Sequence, residues 1–125
     1  MSKYKAQGFV NTFANARKGL RLVLKSEVNV RIHFMAALLI LAFAVCLDFS
    51  IEKICILLLT ISAVICAEMV NSAIEFSLDA VFHNKYSKLV GMAKDIAAGA
   101  VMFITFIAII IGALLFLPSI ISLFK

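Results

Sequence analysis

Residues 96–124 run for 29 positions without one ionisable side chain. That exceeds the ~20 apolar residues an α-helix needs to cross the hydrocarbon core of a bilayer. Two further apolar stretches precede it: residues 32–47 are broken only by His33, and residues 54–67 are wholly uncharged. Both are short against ~20 residues, so their polar ends must sit close to the membrane interfaces. Composition agrees, with 64% of the 125 residues hydrophobic, where a soluble domain is about half apolar. The reading is an all-α membrane protein in one domain covering 1–125, with spans at about 28–47, 53–75 and 95–118. A single proline, Pro118, leaves no candidate linker. The polar N-terminus does not read as a signal peptide, because no short apolar core precedes a cleavage site.

Charge orients the spans. Seven basic residues (Lys3, Lys5, Arg17, Lys18, Arg21, Lys25 and Arg31) precede the first, and Lys85, Lys88 and Lys94 lie between the second and third. Only Lys53 and Lys125 fall on the other side. The positive-inside rule then puts the N-terminus and the second loop in the cytoplasm, and the C-terminus outside. The net charge of +5 reads as a topology signal and not as a nucleic-acid footprint. Cys46, Cys55 and Cys66 match no metal-site spacing and read as small packing residues.

Residues 6–25 are too polar to span. At ~100° per residue, Phe9, Phe13, Ala16, Leu20, Val23 and Leu24 share one face, with Arg17, Lys18, Arg21 and Lys25 on an adjacent one. Such a pattern suits an amphipathic helix at the cytoplasmic headgroup level. Its basic side chains either anchor it there or also attract phosphates.

The second apolar stretch continues into EMVNSAIEFSLDA, residues 68–80. On a helix, Glu68, Asn71, Glu75 and Asp79 lie at about 0°, −60°, −20° and +20°, one narrow polar face. If Lys53 marks the external boundary, Glu68 lies about 22 Å in and Glu75 about 33 Å. The stripe therefore crosses the cytoplasmic edge of a ~30 Å core. Glu27 and Arg31 reach the same level from the first span. Lys94 and Asp95 reach it at the head of the third, just before the small residues Ala97, Ala98, Gly99 and Ala100 that let helices approach closely in lipid.

Acids and a lysine at one interface suggest metal-assisted phosphate chemistry. Carboxylates hold Mg²⁺, which bridges substrate phosphates, lysine gives phosphate a point charge, and a glutamate near hydrocarbon can act as general base. A polar seam that only joins helices, or an ion or proton pathway, would place the same residues on one face.

The core E-x-x-N-S-A-I-E-x-x-x-D at 68–79, followed by A-K-D at 93–95, closely resembles the signature of the small prokaryotic diacylglycerol kinases, which include the undecaprenol kinases. The likeness extends from RKGLR at 17–21 through KSEVNVRIH at 25–33 into the third span. The resemblance implies a homotrimeric, ATP- and Mg²⁺-dependent kinase of a membrane lipid alcohol in the bacterial plasma membrane, with sites composed between protomers. It implies that Glu68 is the proton acceptor and that Glu27 and Glu75 are metal ligands. Lys94 and Asp95 would hold the nucleotide, with Lys85, Tyr86, Ser87 and Asn15 lining its pocket. Asn71, Asp79, Arg21, Arg31 and His33 would contact substrate or support the site. Asn29, His33 and the tail LLFLP at 114–118 resemble the undecaprenol branch more than the diacylglycerol branch. The chain departs from the pattern at Gly8, at Asn15 and in the second loop, where a residue is inserted around 81–84 and the histidine common in the family near Ser87 is absent, leaving open whether His83 stands in for it.

Overall fold

A computed structural model of the chain describes residues 8–125. Four helices follow one another: α1 Phe9–Ser26, α2 Val28–Cys46, α3 Ile51–Phe82 and α4 Lys88–Leu123. The last three are long and apolar enough to cross a membrane. Lys3 and Lys5, and the first two positions of the expected surface helix, lie outside the described residues.

The corners follow from local chemistry. Between α1 and α2 a single residue, Glu27, adopts extended backbone at φ −106°, while its N–H still bonds to the Val23 carbonyl. Arg31, one turn into α2, then donates from Nη1 to the carbonyls of Leu24 at 3.1 Å and Lys25 at 2.8 Å. A cation on the final carbonyls of a helix offsets its orphaned acceptors and complements its dipole. Between α2 and α3, Asp48 takes a left-handed φ of 54°, a conformation short polar side chains tolerate. Ser50 then caps α3 by accepting from the Lys53 N–H. Between α3 and α4, His83 and Asn84 are both left-handed, at φ 50° and 60°, and Ser87 begins α4.

Packing centres on α3, which contacts both α2 and α4, the latter more extensively. The buried positions are few and recur every seven residues: Val30, Ala37 and Ala44 on α2, then Leu57 and Val64, and Ile65 and Ser72, on α3. A seven-residue recurrence is the seam of helices crossing at a shallow left-handed angle. Small and β-branched side chains on that seam allow the close approach on which helix association in lipid depends. On α4 only Ala97 is buried, the first member of the small-residue run.

Large apolar side chains such as Leu39, Leu59, Met102 and Leu114 are exposed. On a soluble domain so much exposed hydrocarbon marks an interaction surface; on three apolar helices it is the face turned to lipid. The chain is a multi-pass helical membrane protein. Cys46, Cys55 and Cys66, read above as small packing residues, are all exposed, so they pack inside nothing within this chain.

At ~1.5 Å per residue, α3 and α4 are about 48 and 54 Å long, well beyond a ~30 Å hydrocarbon core. α3 continues to Phe82 as one helix, past the expected end of its span at 75, and α4 begins at Lys88, ahead of the expected start of its span at 95. The reason is that polar residues end a span but not a helix: Glu75 through Phe82 contain no breaker, and Lys88 through Asp95 carry only Gly91, which a helix tolerates. The two helices therefore leave the apolar slab side by side.

Ala97→Leu should overpack the α3–α4 contact and destabilise the chain by about 1–3 kcal/mol, read as a lower midpoint of thermal unfolding in detergent. Ala98→Leu, at an exposed neighbouring position, should leave that midpoint within about 0.5 kcal/mol.

Candidate active site

Glu68, Asn71, Glu75 and Asp79 occupy one continuous stretch of α3, on the shared face that helical geometry requires. Their neighbours differ. The Glu68 carboxylate Oε1 lies 3.2 Å from His33 Nε2 on α2, with the two side chains 12% and 30% exposed respectively. One turn along, Asn71 Oδ1 is buried and has no hydrogen-bond partner among the described residues. A buried acceptor left unpaired costs about 1–3 kcal/mol, so this amide is an acceptor waiting for a donor. Glu75 is half-buried and, like Glu27 at the α1–α2 corner, makes no ion pair or side-chain hydrogen bond among the described residues. At the end of the stripe Asp79 Oδ1 accepts from Lys94 Nζ on α4 at 2.6 Å.

Helix register explains the division. Taking the Glu68–His33 contact as the alignment of antiparallel neighbours, the start of α2 at Val28 lies about level with Ala73. Beyond that level α3 has no α2 beside it, and the later acids can meet only α4 or α1. Asp79 accordingly meets α4. Asp95, rotated ~100° from Lys94, is exposed and takes no part in the pair.

Two concavities flank the stripe. The first is a pocket of about 230 Å³ at the loop between α3 and α4, where Lys85, Tyr86 and Ser87 come together with Asp79 and Lys94. Asn84 and Gly91 also line it, with Leu78, Phe82 and Val90; of these the sequence pattern had marked only the departure at 81–84. His83 does not line it; as the left-handed residue ending α3 it serves the backbone. The second is a cleft of about 410 Å³ between α2, α3 and α4, apolar along almost its whole length. His33 is the one ionisable residue among those lining it. At the opposite end Phe43 and Phe116 stack with ring centroids 5.6 Å apart, and Phe49 tilts onto Phe116 at 4.8 Å. Lys53 lies over Phe49, 5.1 Å from its centroid.

Among the remaining residues singled out from sequence, Arg21 and Asn15 sit exposed on α1. Arg31 is engaged on the α1 carbonyls. The contact between His33 and Glu68 was not foreseen. Its one signal was that His33 interrupts an otherwise apolar run.

Chemically, the arrangement offers a sheltered carboxylate at the mouth of a hydrocarbon-lined cleft. Unpartnered carboxylates lie on the adjoining elements, and a polar pocket with lysine charge lies farther along the same helix. Comparison with known proteins agrees with that pairing of lipid and phosphate chemistry. The profile of the family "Prokaryotic diacylglycerol kinase" matches residues 14–116. The undecaprenol kinase of Bacillus subtilis (strain 168) is 35% identical over 111 residues, which cover 89% of each chain. The diacylglycerol kinase of a Synechocystis species is 31% identical over 118 residues, covering 94% of this chain and 67% of the relative. That of Escherichia coli (strain K12) is 33% identical over 98 residues, covering 78% of this chain and 80% of the relative.

The Asp79–Lys94 pair is more than a third exposed on both sides, and an ion pair that open contributes roughly 0–1 kcal/mol. A double-mutant cycle of Asp79→Ala and Lys94→Ala, read by thermal unfolding, should therefore give a coupling below about 1 kcal/mol. A larger coupling would make the pair a structural clasp.

Proposed function

This chain belongs to the prokaryotic diacylglycerol kinase family and is a membrane lipid kinase, and on that premise we propose that it transfers the γ-phosphate of ATP to the hydroxyl of undecaprenol, giving undecaprenyl phosphate. The observation that carries the reading is the position of Glu68. It is nearly buried and touches the one ionisable residue of an otherwise apolar cleft. A carboxylate at that place can meet the hydroxyl of an amphiphile whose hydrocarbon stays in the membrane.

In this mechanism Glu68 takes the proton of the lipid hydroxyl as its oxygen attacks the γ-phosphorus. The bond from that phosphorus to the β–γ bridging oxygen breaks, and ADP leaves. Phosphoryl transfer asks mainly for positioning and charge neutralisation, which a small helical chain can supply without a glycine-rich phosphate loop. Lys94 supplies charge beside the phosphates, and Lys85, Tyr86, Ser87 and Asp95 hold the nucleotide from the loop side. Asn15 and Arg21 approach it from α1. Asn71 Oδ1, unpaired in the chain by itself, accepts from a substrate group or a bound water.

Glu27 and Glu75 are the residues that would hold Mg²⁺. Among the described residues no three His, Cys, Asp or Glu cluster as a metal site. Mg²⁺ commonly takes only one or two carboxylates, completing its shell with water and substrate phosphate, and two unpartnered acids fit that donor set. When bound, the ion would neutralise charge on the transferring phosphate.

The basic residues on α1 and in the second loop set the N-terminus and the site in the bacterial cytoplasm, where ATP is available, with the C-terminus outside. Exposed aromatics on α1 hold that helix at the headgroup level. α4, on which Ala97 alone is fully buried, packs against further copies in a homotrimer. Undecaprenol is favoured over diacylglycerol because the match to the undecaprenol kinase extends over 89% of both chains and because Asn29, His33 and the tail LLFLP at 114–118 resemble that branch. Diacylglycerol, giving phosphatidic acid, is the second reading, since relatives bearing that name match over much of the chain.

Phosphate transfer from ATP in mixed micelles, with undecaprenol and diacylglycerol assayed side by side, should give the higher kcat/KM on undecaprenol. The opposite order reverses the substrate assignment. Glu68→Gln should lower kcat by about 10²- to 10⁴-fold, the usual contribution of a general base, while leaving the elution volume of the purified protein unchanged. Full activity in that variant removes Glu68 from the role of base.

A further inference from the structure

His33 belongs to two environments at once: its ring lines the apolar cleft, and its Nε2 lies 3.2 Å from Glu68 Oε1. To act as a base Glu68 must be ionised, and an ionised carboxylate can only accept hydrogen bonds; in that state Nε2 carries the proton and donates it. At 3.2 Å the contact lies at the long end of the N–H···O range, close enough to orient the carboxylate. It also leaves Oε2 without a partner among the described residues.

A glutamate has several rotatable bonds, and among the described residues no other hydrogen bond or ion pair restrains this one. Asn71 does not bond to it, and Lys94 is committed to Asp79. The cleft supplies no other ionisable group, and Thr60 on its wall donates to its own helix at the Ile56 carbonyl. The ring of His33 is thus the one polar contact that selects a carboxylate orientation, and it does so at the boundary a lipid hydroxyl must cross.

We propose that His33 is the positioning residue for Glu68: its imidazole N–H fixes Oε1 so that Oε2 faces the hydroxyl arriving from the apolar cleft. The proposal rests on the reading of Glu68 as the base. It makes kcat depend on His33 while binding of ATP, at the far end of the polar stripe, does not.

The test uses the full chain in mixed micelles containing undecaprenol. His33→Ala should lower kcat by about 10- to 100-fold, the scale on which a misplaced reacting group slows chemistry, with KM for ATP unchanged. His33→Gln, whose amide N–H can reach the same oxygen, should recover most of the loss. His33→Ala combined with Glu68→Gln should be no slower than Glu68→Gln alone, because residues acting as a unit are not additive. Independently of turnover, the ¹⁵N resonance of His33 Nε2 should shift between the wild-type protein and Glu68→Gln. Wild-type kcat in His33→Ala overturns the proposal, as does a loss confined to KM for ATP. A His33→Gln variant as slow as His33→Ala, or an unchanged ¹⁵N resonance, does the same. Full turnover in Glu68→Gln is a separate failure: it removes the base itself, whereas the outcomes for His33 judge the positioning role with the base intact.

Discussion

A backbone in hydrocarbon has no water to satisfy its N–H and C=O groups, and each group left unpaired costs several kcal/mol. The three apolar stretches of this chain are helical for that reason, and the same constraint governs where polar side chains can go. They collect where α3 and α4 outrun the ~30 Å slab. A carboxylate is expensive only while it is submerged, so a stripe that climbs out of the membrane along one helix meets a graded environment. Glu68 stands at its costly end and Asp79 at its wet end, about 16 Å apart at ~1.5 Å per residue.

That gradient separates two chemistries that a lipid kinase has to join. The cleft between α2, α3 and α4 is lined by side chains such as Leu57, Val64 and Ile109, which favour hydrocarbon and repel phosphate. The pocket at the loop carries Lys85, Lys94 and Tyr86, which suit an anionic ligand reached from water. Both open along α3, the helix that packs against each of its neighbours. The stacked Phe43 and Phe116 end the cleft away from Glu68, so one end of the cavity is polar and the other aromatic.

Much of this was legible in the residues. Three apolar stretches, the polar face of residues 68–79 and the basic bias around α1 and the second loop follow from period and composition alone. A helix ends where a strong local signal bounds it, as Ser50 does at the start of α3, and runs on beyond its apolar stretch where there is none. No breaker separates Glu75 from Phe82, so α3 passes the membrane edge unchanged. That Cys46, Cys55 and Cys66 are exposed within this chain was not legible, because apolarity in a membrane protein does not distinguish the face packed on a neighbouring helix of the chain from the face turned outward. Cys55 and Leu57 sit two residues apart in the same helix, one exposed and the other buried.

The sequence by itself determined the helices, their order and the alignment of Glu68, Asn71, Glu75 and Asp79, because each depends on a period within one segment. Only the tertiary structure decided which partner each polar group has: His33 for Glu68, Lys94 for Asp79 and, among the described residues, none for Asn71 Oδ1. Those assignments depend on how far one helix slides along another. That register is set by small buried residues dispersed over three helices (Val30, Ala37, Ser72 and Ala97 among them), whose joint fit no single stretch of sequence contains.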